Sequence, residues 1–226
     1  MISKDLTKRI ITSVPLILLL GFSFSNSIIL TISLIIVSII SWIEFNSLIS
    51  KIFIKKNYKI KFYKLFINFL SLIYLTLFSL LIFSGISQDN LKLLMLFLFS
   101  ICITSDIGGL LFGKFFKGRK LTKISPNKTI SGSIGSFILS LILVPIFRPF
   151  FDIEFSNLYD LILLAVFVSF FCQIGDLFIS FLKRKAKVKD TGFVLPGHGG
   201  ILDRIDGMLL AVPLGMATWE FLVIII

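Results

Sequence analysis

The chain has 226 residues, of which 56% are apolar and only 15% are charged, and its mean hydropathy of +1.01 excludes an ordinary water-soluble domain. Apolar runs of about 17 to 25 residues can cross a membrane as helices, and such runs recur along the chain. The composition therefore predicts an all-α, polytopic integral membrane protein.

Seven apolar segments predict about seven transmembrane helices. They cover residues 10–24, 28–48, 65–85, 93–113, 131–147, 158–182 and 208–226. The first segment follows Lys8 and Arg9 as a signal peptide would, but no small-residue cleavage site comes after it. We therefore interpret it as an uncleaved first span.

The net charge of +11 is distributed as a membrane topology signal. The segment before the first span and alternate connections between the spans together hold 21 of the 23 Lys and Arg residues and leave only Lys92 and Arg148 on the other side. The positive-inside rule then places the N-terminus and the basic connections in the cytoplasm. No nucleic acid partner is needed to explain the charge, whereas anionic lipid headgroups would be attracted to this face.

The spans suggest two regions, residues 1–92 with membrane-spanning helices and residues 93–226 with two cytoplasmic loops at 114–130 and 183–207. Cys102 and Cys172 lie inside apolar runs, too few and too isolated for a disulfide framework or a thiolate metal site. We expect both to be packing residues.

Three carboxylates of the predicted spans stand out as candidates, because an ionisable group within a span costs about 2.5 to 3.5 kcal/mol on insertion scales. Glu44, Asp106 and Asp176 all lie toward the predicted cytoplasmic ends of their spans. One interpretation is that each pairs with a lysine from an adjacent loop. The other is that they belong to a functional site.

Asp203 and Asp206 stand three residues apart at the start of the last span, so they share a helix face. They could simply cap that helix, because its dipole favours negative charge there. However, Asp176 lies at a matching depth with Ser180 one turn on. Three carboxylates from two helices predict a Mg²⁺ site made of Asp176, Asp203 and Asp206.

The two cytoplasmic loops are rich in residue types that bind phosphate. In the 183–207 loop these are Lys183, Arg184, Lys185, Lys187, Lys189, Gly197, His198, Gly199, Gly200 and Arg204. In the 114–130 loop, a helix N-terminus that could take a phosphate is preceded by Ser125, Asn127, Lys128 and Thr129.

Two other motifs are weaker. Residues 108–114 spell GxxxxGK, but Phe115 stands where a P-loop needs Ser or Thr, and no strand precedes the motif. Gly109 and Gly113 form a GxxxG pair, which predicts close helix packing. With one histidine and no nucleophile elbow, a Ser-His-Asp hydrolase is not expected.

Residues 180–206 resemble the signature of the phosphatidate cytidylyltransferases (CDP-diacylglycerol synthases). The matching positions are Ser180, Lys183-Arg184, Lys189-Asp190 with Gly192, Pro196-Gly197-His198-Gly199-Gly200 and Asp203-Arg204-Ile205-Asp206. A second block also resembles the family, through Asp106, Gly108, Phe112-Gly113-Lys114 and the run from Ile124 to Thr129. The resemblance covers residues 100–220, and members of the family tend to have eight or nine spans.

The chain departs from the family pattern after Thr129, where the family usually has Trp-Glu-Gly and this sequence has Ile130-Ser131-Gly132. Whatever role that Glu has is therefore dispensable here or supplied by another residue. We carry no role over to Ser131.

The resemblance implies transfer of CMP from CTP to phosphatidate, giving CDP-diacylglycerol and pyrophosphate for phospholipid synthesis. It implies Mg²⁺, with room for a second cation, and a homodimer in the inner membrane whose active site faces the cytoplasm. The implied catalytic residues are Asp176, Lys189, Asp190, Asp203 and Asp206. The implied residues for CTP and its phosphates are Ser125, Asn127, Lys128, Thr129, Ser180, Lys183, Arg184, His198, Gly199, Gly200 and Arg204.

Two alternatives belong to other classes. A CDP-alcohol phosphatidyltransferase would carry Asp-Gly-x-x-Ala-Arg followed by two further acids, and no such motif is present. A transporter would place its acids near the membrane midplane and often contain a repeat. Here the acids lie toward one face, beside phosphate-binding loops.

Overall fold

The computed structural model describes residues 15, 18–54, 57–122, 125–151, 157–195, 197 and 199–225. Within these ranges the chain forms six long helices, and residues 18–25 are helical as well. The long helices are α1 (Ser27–Ile52), α2 (Tyr58–Ser87), α3 (Asp89–Phe116), α4 (Ile130–Phe147), α5 (Leu158–Lys185) and α6 (Leu202–Ile225). A 3₁₀ turn at Arg148–Phe150 follows α4.

All six helices of the described ranges are long and apolar enough to cross a membrane. This confirms the all-α, polytopic class and six of the predicted spans. Of the other predicted span, 10–24, only residues 15 and 18–24 are described, and they are helical.

Two helices begin earlier than hydropathy predicts. Helix α2 starts at Tyr58, seven residues before the predicted span, and α6 starts at Leu202, six residues before it. The additional residues include Lys59, Asp203 and Arg204, which a hydropathy window rejects. In α6 a helical start among charged residues is possible because its first N–H groups have side-chain acceptors, described below.

The described residues fall into two compact units. One lies within residues 1–88 and 182–205, and the other lies within residues 89–181 and 206–226. The division runs through α5 and α6, so the last residues of α5 and the first residues of α6 belong to the unit that contains α1 and α2.

In the first unit, α1 packs against α2 through polar contacts between apolar helices. Asn68 donates from Nδ2 to Asn46 Oδ1 at 2.7 Å, and its backbone carbonyl accepts from Trp42 Nε1 at 3.1 Å. At its start, α1 is capped by Asn26, whose side chain accepts from the N–H groups of Ile28 and Ile29. Hydrogen bonds between helices, like those of Asn68, hold helices together in a membrane, where burial of apolar surface gives no driving force.

In the second unit, α3 packs against α4 through small residues. A Cβ added at Gly108 would collide with the backbone carbonyl of Gly135. One added at Gly109 would lie 3.1 Å from Ser136 Oγ, and one added at Gly113 would lie 3.1 Å from Thr129 Oγ1. The predicted packing role of the Gly109–Gly113 pair is confirmed, and Gly108 makes the closest approach of the three.

We predict that Gly108→Ala destabilises the protein, because the added methyl group meets backbone that cannot move aside. The free energy of unfolding should fall by about 1–3 kcal/mol. Thermal unfolding in detergent measures the effect. The matched control is Gly21→Ala, where nothing lies within 4 Å of the added Cβ. Equal melting temperatures for the two variants would contradict the packing described for α3 and α4.

Candidate active site

The second unit contains Asp176, in the C-terminal half of α5. Its carboxylate forms an ion pair with Lys128 and accepts a hydrogen bond from Ser180 Oγ at 3.3 Å. Both side chains of the ion pair are about one quarter exposed, so the pair borders solvent. The lysine partner considered for Asp176 is therefore present, and it is one of the predicted phosphate-binding residues.

Lys128 is presented by a tight turn in the loop between α3 and α4. The N–H of Leu121 donates to the Lys128 carbonyl at 2.8 Å, and the N–H of Lys128 donates to the Ser125 carbonyl at 3.0 Å. An isolated bridge between Lys120 and Thr129 closes the turn. The backbone on both sides of Lys128 is thus fixed, which directs its side chain to Asp176.

The end of this loop is joined to the start of α4 by two hydroxyl groups. Thr129 caps α4 by accepting from the N–H of Gly132 at 3.1 Å. Ser131 accepts from the N–H of Gly118 at 3.2 Å and lies 3.0 Å from the Thr129 hydroxyl. At the position where the family pattern has Glu, this chain therefore has a short side chain that holds the loop to the helix.

Two further acids of the second unit lie around Cys172. The sulfur of Cys172 lies 3.9 Å from Asp106 Oδ1 and 3.9 Å from the carbonyl of Cys102. Asp206 is buried, with 8% exposure, and its Oδ1 accepts from the N–H of Gly207 at 2.9 Å. Both cysteines are buried and unlinked, so their predicted packing role is confirmed.

The first unit contains Asp203, whose carboxylate has hydrogen-bond donors at both oxygens. Oδ1 accepts from Lys183 Nζ at 2.7 Å. Oδ2 accepts from the N–H of Thr191 at 2.8 Å and from the N–H of Gly200 at 3.1 Å. The Thr191 hydroxyl lies 2.9 Å from Oδ2, and its single proton is shared between this oxygen and Glu44. None of these donors belongs to the last helix, so the capping role considered for Asp203 stays a prediction.

The glycine-rich segment before α6 folds back on itself. The N–H and carbonyl groups of Leu195 and Gly199 bond to each other in both directions, at 2.9 and 3.1 Å. Gly197 and Gly199 have φ values of +79° and +85°, a left-handed conformation that favours glycine. Pro196 and His198 lie outside the described residues.

Sequence reasoning missed the role of Glu44. Its side chain is 4% exposed, and in the described part of the chain its carboxylate forms no ion pair with a lysine. Instead it accepts from the N–H of Ile201 at 3.1 Å, from the N–H of Leu202 at 2.9 Å and from the Thr191 hydroxyl at 3.0 Å. The one indication in the sequence was the energetic cost of a carboxylate within a span. The sequence did not indicate which groups would donate hydrogen bonds to it.

The other predicted site residues have surface positions. Arg184, Lys185, Lys187, Lys189, Asp190 and Arg204 are exposed. Ser125 and Asn127 lie in the turn that presents Lys128. The side chains that could meet a solvent-borne anion are therefore mainly those of the two basic loops.

The predicted Mg²⁺ site consists of Asp176, Asp203 and Asp206. The described residues contain no group of three His, Cys, Asp or Glu side chains arranged to hold a metal. Asp176 and Asp203 each have the carboxylate oxygens that Mg²⁺ prefers and each pair with a lysine, and Asp176 is the more exposed of the two. The three-carboxylate site stays a prediction.

The chain is similar to known proteins along most of its length. A family model described as "Cytidylyltransferase family" matches residues 3–222. Proteins named phosphatidate cytidylyltransferase are 44% identical over 142 residues in Rickettsia felis, 47% over 122 residues in Staphylococcus haemolyticus and 43% over 121 residues in Bacillus subtilis. These regions cover 60%, 53% and 52% of this chain, but only 62%, 46% and 45% of the respective relatives.

We predict that Lys183→Met destabilises the protein, because it leaves the Asp203 carboxylate buried without its cation. The side chains of the pair are 14% and 6% exposed. Removing one partner of such a pair typically costs about 3 kcal/mol. Thermal unfolding in detergent should show the loss, and Lys61→Met, at an exposed lysine of α2, is the control. An unchanged melting temperature for Lys183→Met would show that Asp203 does not depend on this ion pair.

Proposed function

Because the chain belongs to the cytidylyltransferase family, we propose that it transfers CMP from CTP to phosphatidate. In this reaction a phosphate oxygen of the lipid forms a bond to the α-phosphorus of CTP. The bond from the α-phosphorus to the bridging oxygen breaks, and pyrophosphate leaves. The products are CDP-diacylglycerol and pyrophosphate, as the names of the relatives suggest.

The observation that carries the proposal is the contact between Lys128 and Asp176. Lys128 belongs to a block that resembles the family's upstream pattern, and Asp176 lies on the helix that leads into the signature segment. Their ion pair brings a phosphate-binding cation and a candidate metal ligand together within one unit. A purely structural surface ion pair would not need to join these two blocks.

Both substrates are anionic, so catalysis must consist mainly of neutralising charge and aligning the reacting atoms. The phosphate monoester of phosphatidate is already ionised near neutral pH, so the reaction needs no strong general base. The ammonium group of Lys128 would contact an oxygen of the triphosphate. The exposed side chains of Arg184, Lys189 and Arg204 would attract CTP and the leaving pyrophosphate.

We propose that Mg²⁺ is held by Asp176 together with Asp206 and Asp203, with room for a second cation. When bound, the metal would reduce the negative charge on the phosphate oxygens. Asp176 supports this role best, because its carboxylate is the more exposed and borders solvent.

We further propose a location and an assembly. The chain would lie in the inner membrane with its N-terminus, both basic loops and the active site on the cytoplasmic side, where CTP is available. The distribution of Lys and Arg supports this orientation. The family resemblance supports a homodimer, and no nucleic acid takes part.

The proposal predicts pyrophosphate release from CTP that depends on phosphatidate and Mg²⁺. Asp176→Asn removes the negative charge but keeps the shape, so the rate should fall about a hundredfold or more. Coupled detection of pyrophosphate with the purified protein in mixed micelles measures it. Asp89→Asn, at the exposed first residue of α3, is the control. Equal rates for wild type and Asp176→Asn would contradict the role of Asp176.

Lys128→Met should raise the KM for CTP and lower kcat/KM about tenfold to a hundredfold, because it removes a charged hydrogen-bond donor. Lys120→Met makes the same change at an exposed lysine in the same turn, so the net charge of the loop is matched. The two variants are compared by steady-state kinetics with CTP as the varied substrate. Similar losses in both would assign the effect to loop charge and contradict a specific role of Lys128.

A further inference from the structure

Glu44 lies on α1, outside the two blocks of residues that resemble the family signature. It is a carboxylate buried among apolar helices, and such a group needs compensation for the lost water. The compensation comes from three hydrogen-bond donors of one segment, residues 191–202. Two of these donors, the N–H groups of Ile201 and Leu202, lie at the start of α6, where a helix has N–H groups without intrahelical partners.

Two glycines of residues 191–202 leave space for the Glu44 carboxylate. A Cβ added at Gly192 or at Gly200 would collide with the Glu44 side chain. Both glycines belong to the signature, and neither has a left-handed φ. Close approach of Glu44, and not an unusual backbone conformation, therefore accounts for glycine at these two positions.

Thr191 connects Glu44 to Asp203. Its hydroxyl lies 3.0 Å from Glu44 Oε2 and 2.9 Å from Asp203 Oδ2, and its N–H donates to the same oxygen of Asp203. Asp203 in turn accepts from the N–H of Gly200. Both ends of the segment are thereby held to the two carboxylates, while its middle forms the turn around Gly197.

We propose that Glu44 is a positioning residue for the nucleotide transfer, an inference that rests on the function proposed above. It fixes residues 191–202, the glycine-rich part of the signature that is expected to lie beside the phosphates of CTP. Glu44 itself does not touch substrate. Its loss would let the segment move, and a displacement of about 1 Å in a positioned group can cost a hundredfold in rate.

The chemistry of the contact requires a carboxylate of this length. Oε1 accepts from one N–H, and Oε2 accepts from the next N–H and the hydroxyl. Glutamine keeps the shape but has one acceptor oxygen, so its NH₂ group would face a donor. Aspartate keeps both oxygens but is one methylene shorter.

The test compares Glu44→Gln and Glu44→Asp with Glu220→Gln, which removes the same charge at an exposed position of α6. We expect Glu44→Gln to raise the KM for CTP about tenfold, since bonds to a charged acceptor are lost, and to leave the KM for phosphatidate almost unchanged. Glu44→Asp should recover part of the loss. Equal changes in the two KM values, or none, would overturn the proposal.

A second readout does not depend on activity. Trypsin cleavage after Lys187 and Lys189, next to the segment, should become at least about fivefold faster in Glu44→Gln, since the lost bonds favour opening. Cleavage after Lys117 and Lys120, in the other loop, should not change. Acceleration at both loops would indicate general unfolding and contradict a local role.

If Glu44→Gln does not fold, Thr191→Val and Thr191→Ser test the same network through the hydroxyl. Thr191→Val should reproduce the rise in the KM for CTP, and Thr191→Ser should restore the wild-type value. Identical behaviour of the two would overturn the proposal. Absence of pyrophosphate release by wild type would reject the proposed reaction alone, because the cleavage pattern would still report whether Glu44 holds the segment.

Discussion

A buried carboxylate in a membrane protein must find donors within the protein, and this constraint organises the first unit. Glu44 and Asp203 each meet it with N–H and hydroxyl groups of residues 191–202. Glu44 accepts from the N–H groups of Ile201 and Leu202, where α6 begins. Hydrogen bonds to the two carboxylates hold both ends of the signature segment, and such bonds are strong in a low-dielectric environment. The start of α6 therefore depends on a residue of α1 that lies more than 150 positions earlier in the chain.

The second unit meets the same constraint with an ion pair. Asp176 lies opposite Lys128, and the turn that presents Lys128 is joined to α4 through Thr129 and Ser131. Close packing of α3 on α4 requires Gly108. This packing holds α4 and the loop before it, which contains Lys128, in place. In each unit an acid of the resemblance is thus paired with a lysine from a basic loop, Asp176 with Lys128 and Asp203 with Lys183.

Hydropathy and spacing predicted the helical class, six of the spans and the packing role of Gly109 and Gly113, because these depend on local composition. The start of α6 could not be predicted in this way, since it depends on hydrogen bonds to Glu44. The sequence predicted that Asp176 could pair with a lysine of an adjacent loop, but it did not identify that lysine as Lys128. Contacts between residues distant in the sequence become known only from the folded chain. The partners of Asp203, which are Lys183, Thr191 and Gly200, lie outside α6 and could not be inferred from its spacing to Asp206.

The function proposed for these acids and basic loops is transfer of CMP to a lipid phosphate. The most direct measurement follows the fate of each phosphorus atom of CTP when purified wild-type protein acts on phosphatidate. Label at the α-phosphorus should enter the organic phase as CDP-diacylglycerol, and label at the γ-phosphorus should leave in an equal amount as pyrophosphate. Label from the γ-phosphorus in lipid, or release of pyrophosphate without α-label in lipid, would contradict the account.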